Sequence, residues 1–217
     1  MLRAKMLEPM NVLLGCSAYL REHPREVLRA ARQATRLRFG VPIVALRWLA
    51  LQLEALGGPQ DIELDAVPPG IRVTATIEEM GTLLRGSAIL IVEDTCVSAD
   101  ELKIVVRLSD VSIRLLDERA NTPLAALVRS GALDLSRLAN LIAHLPTRPA
   151  VLVEAVENRL VLDLMHLPLL SRDKRLRRLV GTVSTLLSVK SVETDATHLD
   201  VALTALPCGL AAIIHSK

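Results

Sequence analysis

The sequence predicts an α+β fold: a long, curved antiparallel β-sheet wrapped around an amphipathic helix, with an N-terminal helical segment. Three observations predict it. The period of apolar residues changes from helical to two near Gly57. The strands that follow are long, and one of them, "ELKIVVRLSDVSIRLLD" (Glu101 to Asp117), changes phase in its middle. The chain is 51% hydrophobic with mean hydropathy +0.38, yet Phe39, Trp48 and Tyr19 are its only aromatics. Aliphatic side chains must therefore do nearly all the packing, and there are more of them than an ordinary core of this size needs.

Residues 1–57 form the helical segment and 58–217 the α+β domain, packed together as one unit. Met10 to Leu20 is a short apolar helix, and Pro24 opens a second, in which Arg25, Arg29, Arg32 and Arg36 make one basic stripe. Gly40 and Pro42 break it. A third helix, Ile43 to Leu56, is apolar almost all round, which means burial on most sides or contact with lipid. Beyond "GGPQ", strands are read at Ile62 to Ala66, Ile71 to Ile77 and Leu83 to Val97, with Gly86 a kink or bulge in the last.

In the next strand Leu102, Ile104, Val106 and Leu108 line one face. After Ser109 and Asp110 the apolar series resumes on odd numbers, Val111, Ile113 and Leu115. A β-bulge produces this slip, and so does a turn between two short strands. Thr122 caps and Pro123 opens a helix to Ser130. Leu138, Leu141, Ile142 and Leu145 mark a short helix ending before Pro146, and Val151 to Met165 is a hairpin turning at Glu157 and Asn158. From Ser171 the chain writes its most regular amphipathic helix, with Leu176, Leu179, Val180, Val183, Leu186 and Leu187 on one stripe. A last hairpin spans Val189 to Glu193 and His198 to Leu206.

Net charge is +2, unevenly spread: residues 1–50 hold 9 basic and 3 acidic side chains, 51–170 hold 10 and 17, and 171–217 hold 7 and 4. No window of about 20 residues is free of charge, so a spanning helix is excluded. The three cysteines, Cys16, Cys96 and Cys208, lie far apart without metal-ligand spacing and read as reduced and structural, in keeping with a cytoplasmic protein. The alternative is lipoprotein export with cleavage at Cys16, after "LLG", but Glu8, Pro9 and Asn11 interrupt its apolar region.

No nucleotide-binding glycine motif, nucleophile elbow, metalloprotease motif or CxxC is present, so the chain reads as no enzyme, without metal or cofactor. Its five histidines are scattered and read as surface or helix-end residues. Asp94, Asp100 and Glu101 match no calcium loop and read as a solvated strand connection. Nucleic acid ranks third as a partner, because its single strands stack on aromatics that this chain nearly lacks and duplex binding calls for a more strongly basic chain.

Long bent strands, an aliphatic surplus and one amphipathic helix imply a groove for acyl chains, since burying each methylene is worth ~0.8 kcal/mol without directional contacts. In order and shape, "GIRVTATI", "GSAILIVEDTCV", "ELKIVVRLSDVSIRLLD" and "DKRLRRLVGTVSTLLSV" resemble the tubular lipid-binding (TULIP) superfamily, which includes BPI-like and SMP-like domains. The resemblance spans Asp61 to Leu206. It implies a long helix rolled in a highly curved sheet, and binding or transfer of lipid without catalysis. The helical first 57 residues and the short chain depart from that pattern, so a complete tube calls for a homodimer.

The lipid-facing residues expected are Ile71, Val73, Ala75, Ile77, Leu102, Ile104, Val106 and Leu108, opposite Leu179, Val183, Leu186 and Leu187. Arg25, Arg29, Arg32 and Arg36, with Arg172, Lys174, Arg175, Arg177 and Arg178, are expected to meet anionic headgroups at the periphery of the inner membrane. The alternative is a structural or adaptor protein whose apolar surface is a dimer or partner interface.

Overall fold

A computed structural model describes residues 37–55, 58–98, 101–143, 150–166, 181–182, 184 and 187–205. These residues are mostly antiparallel β-structure with few helices. In chain order the elements are β1 (Arg38–Pro42), α1 (Ile43–Ala55), β2 (Gln60–Val67), β3 (Gly70–Glu79), β4 (Thr82–Val97) and β5 (Leu102–Leu115). There follow α2 (Pro123–Ser130), α3 (Leu138–Ala143), β6 (Leu152–Val156), β7 (Arg159–Asp163), β8 (Leu187–Thr194) and β9 (His198–Ala205). A six-stranded sheet has the order β2-β3-β4-β5-β7-β6, and a three-stranded sheet the order β1-β9-β8.

The larger sheet begins as a meander, and its turns are written in the sequence. Met80 (φ 51°) and Gly81 (φ 70°) both take left-handed backbone between β3 and β4, the requirement of a two-residue hairpin loop whose twist matches its strands. Gly70 begins β3 where no side chain fits: a Cβ there would lie 2.4 Å from the Leu90 carbonyl oxygen.

The phase slip in β5 is a bulge within one continuous strand. Ser109 pairs with Ile89 and Ser112 with Ser87, so Asp110 and Val111 together face Ala88. Asp110 takes left-handed backbone (φ 48°), which a short polar side chain tolerates, and its carboxylate accepts from Arg72 at 2.6 Å. A second bulge lies on the partner strand, where Glu93 is the extra residue between the Val92–Val106 and Asp94–Val105 pairs. A third breaks β2 between Gln60 and Glu63, with Asp61 at φ 48°.

Helix α1 packs beside β2, the edge of the larger sheet. Ile43 and Ala50 are buried on it, and Arg47 and Glu54 share that side of the helical wheel. Arg47 Nε donates to the Leu64 carbonyl at 2.7 Å and its guanidinium to Asp65 Oδ1 at 2.8 Å, while Ile62 N–H donates to Glu54 Oε1 at 2.5 Å. The helix thus directs its two charges to backbone groups at the open side of an edge strand.

Helix α2 has the limits its sequence dictates. Thr122 accepts from Ala125 N–H at 3.1 Å, and Gly131 closes the helix in left-handed backbone. The Thr122 hydroxyl also meets that of Thr82, buried at the start of β4, at 2.5 Å, which ties the helix to the sheet.

Three expectations are corrected. Arg38–Pro42, which includes the residues read as a helix break, is strand β1, paired with β9 from Arg38–Ala202 to Pro42–His198. A strand can form there because β9 supplies the partner from far along the chain. His198 is 5% exposed rather than a surface residue: Asp195 Oδ1 accepts from the backbone N–H groups of Thr197 and His198, folding the β8–β9 turn, and the ring lies 2.8 Å from the Thr197 hydroxyl. Leu187 is not on a helix but begins β8, opposite Ala205. Its two-residue spacing to Val189 serves a strand, and β9 provides the ladder. The rest of the helix read from Ser171 lies outside the described residues, except Gly181, Thr182 and Ser184, which are helical.

Candidate functional site

Residues directly opposite each other in an antiparallel ladder share a face, so the register fixes what the larger sheet presents on each side. Ile71 faces Leu90, Val73 faces Ala88, Ala75 faces Gly86 and Ile77 faces Leu84. Across the next ladder Leu90 faces Leu108, Val92 faces Val106, Gly86 faces Ile113 and Leu84 faces Leu115. Ile104 faces Leu162 and Val106 faces Leu160 on β7, while Leu64 and Ala66 on β2 face Val73 and Ile71. One face of the sheet is therefore aliphatic from β2 to β7, interrupted only by Thr95 opposite Ile104 among these pairs.

The bulges keep it so. Without the extra residue at Asp110, Ile113 and Leu115 would turn to the other side; with it, they share the face of Val106 and Leu108, opposite Gly86 and Leu84 on β4. The extra residue at Glu93 does the same for β4, whose Val97 is brought opposite Leu102.

The eight strand residues expected to face lipid, Ile71, Val73, Ala75, Ile77, Leu102, Ile104, Val106 and Leu108, all stand on this face. Val106 and Leu108 are buried, at 6% and 4% exposure, and the other six are half-buried or, at Ile77, exposed. Gly86 leaves a hollow between them: no atom lies within 4 Å of where its Cβ would be, and the residue opposite on β3 is only Ala75.

Leu187 stands apart, in the three-stranded sheet. Leu179, Val183 and Leu186 lie outside the described residues, as do Arg25, Arg29, Arg32, Arg36, Arg172, Lys174, Arg175, Arg177 and Arg178. The sequence reading missed the contribution of β4, whose even positions from Leu84 to Val92 fill the middle of the face. The signal was present but obscured, because Ile89 and Ile91 make the strand apolar on its other side too.

The opposite face is mixed: Ile89 and Ile91 on β4 and Val105 opposite Val161 are apolar, and polar pairs lace the strands around them. Arg85 pairs with Glu63 at 2.7 Å, Arg72 with Asp110 at 2.6 Å, and the Thr74 hydroxyl donates to that of Ser87 at 3.1 Å. Glu93, the bulged residue of β4, receives Arg107 at 2.6 Å and Arg159 at 2.7 Å. Partial withdrawal from water works against its charge, but the hydrogen bonds from the two guanidinium groups prevail and hold its carboxyl below the ordinary 4.5. Such half-exposed pairs are each worth ~0–1 kcal/mol, so they mark the water side more than they stabilise it.

A cleft of about 190 Å³ separates the end of β4 from β8, lined by Pro69, Ile91 to Thr95 and Lys190 to Glu193. That is below the ~300–1,000 Å³ of ordinary ligand pockets, and charged side chains line much of it. Among the described residues no cluster of three His, Cys, Asp or Glu side chains could hold a metal ion, and no helix is long and apolar enough to cross a membrane. Comparison with protein-family models, with curated proteins and with solved structures finds no match to this chain.

Proposed function

We propose that the protein binds lipid acyl chains, without catalysis, against the aliphatic face of its six-stranded sheet, and carries them in that form. The observation behind this reading is the continuity of that face: four long strands and β7 turn aliphatic side chains to one side, across two bulges, and most of those side chains are only half-buried. Flexible aliphatics give an unselective lining that gains ~0.8 kcal/mol per methylene covered. On the reverse face the exposed ion pairs of Arg72, Arg85 and Glu93 meet water. In the full arrangement proposed, the sheet curves around the helix that begins at Ser171, as in the tubular lipid-binding superfamily, and a second copy completes the tube.

Native mass spectrometry of the purified chain, paired with organic extraction and lipid analysis, tests it. Phospholipid or fatty acid at a fixed ratio per chain is expected. Val73→Asp places a charge on the half-buried aliphatic face and is expected to abolish that lipid, whereas Thr74→Asp, on the reverse face, is expected to keep it. A lipid-free, cleanly dimeric wild-type chain would overturn the reading and move the apolar surface to an interface between proteins.

A further inference from the structure

Helix α1 is apolar on both sides. Its two charged residues, Arg47 and Glu54, hydrogen-bond to the edge of the sheet, Arg47 while half exposed, and the side away from the sheet exposes apolar side chains. Val44, Trp48 and Leu51, at steps of four and three, are 56%, 38% and 57% exposed, with Leu49 beside them. Phe39, on β1 just before the helix, is 45% exposed. Two of the chain's three aromatics are therefore exposed within ten residues of each other.

We propose that the outer face of α1, with Phe39, docks on the surface of a lipid bilayer. A second copy of the chain fits less well. The exposed apolar patch consists of five side chains, against the roughly 20–30 residues and ~800 Å² per partner that a stable dimer buries. Tryptophan and phenylalanine suit the boundary between headgroups and acyl chains, the indole because one edge of it is polar and the rest apolar. A 13-residue helix is about 20 Å long, too short to span the ~30 Å hydrocarbon layer, so it lies in the plane of the interface.

Trp48 is the single tryptophan and reports on its own surroundings. Vesicles of phosphatidylcholine with phosphatidylglycerol are expected to shift its emission to the blue and to quench it when the acyl chains are brominated. Leu51→Glu is expected to weaken vesicle partitioning by roughly tenfold or more. The same variant is expected to keep the lipid that co-purifies on the sheet, so failure of docking is distinguishable from failure of acyl-chain binding. An emission that neither vesicle addition nor brominated lipid changes would overturn the proposal. So would a blue shift that tracks protein concentration and dimer mass without vesicles, which would assign this face to a second copy.

Discussion

Replacing Gly86 by leucine tests the aliphatic face where the structure leaves room. The glycine sits in β4 between Ala75 and Ile113, and nothing lies within 4 Å of its missing Cβ. A leucine there puts about four carbons into the hollow. An acyl chain following the face would lose contact with about as many methylenes, at ~0.8 kcal/mol each, or ~3 kcal/mol in all. That corresponds to binding weaker on the order of a hundredfold. The fold should not suffer, because glycine in a strand interior is itself unfavourable by roughly 0.5–1 kcal/mol relative to alanine. Displacement of a fluorescent fatty acid measures the first effect and urea denaturation the second. Wild-type affinity in a stably folded Gly86→Leu protein would refute the placement of the chain on this face, and a large loss of stability would refute the hollow.

Two further expectations concern the scaffold. Gly70→Ala brings a Cβ to 2.4 Å from the Leu90 carbonyl oxygen, a backbone atom that cannot swing aside, and to 2.9 Å from Ile91 Cγ1, so a loss of ~1–3 kcal/mol is expected in urea denaturation. A loss under about 0.5 kcal/mol would show that the hairpin shifts freely away from β4. For Glu93 the folded-state carboxyl is held below 4.5, so its contribution is fully present above that pH and is lost as pH falls through the lowered value. Glu93→Gln is expected to melt below the wild type at neutral pH and to converge with it in acid; a difference that persists unchanged to low pH would sink the assignment.

Local patterns carried much of the fold. Alternation in β3 and β5 placed their apolar faces, and Thr122, Pro123 and Gly131 marked both ends of α2. The phase slip at Asp110 was legible as an interruption, but a bulge and a turn interrupt alternation equally, and only the continuing partner β4 decides between them. Strand β1 was hidden for a related reason: Gly40 and Pro42 read locally as a break, and the residues that make them a strand lie on β9. The direction in which α1 points was concealed differently. Two charges in an apolar helix read as pointing away from the protein, whereas both hydrogen-bond to backbone groups of the edge strand β2, Arg47 while still half exposed.

Pairing β1 with β9 constrains the order of assembly. Strands β2 to β5 meet their neighbours through short connections, so hairpins in that meander close cheaply and early. Arg38 and Ala202, by contrast, are joined across roughly 160 residues of intervening chain. During synthesis β1 leaves the ribosome ahead of the other described strands and waits for the last of them, while the larger sheet forms between them. The small sheet is thus a clasp fastened at the end of folding, and a chain cut short before His198 would keep its meander while leaving β1 without a ladder.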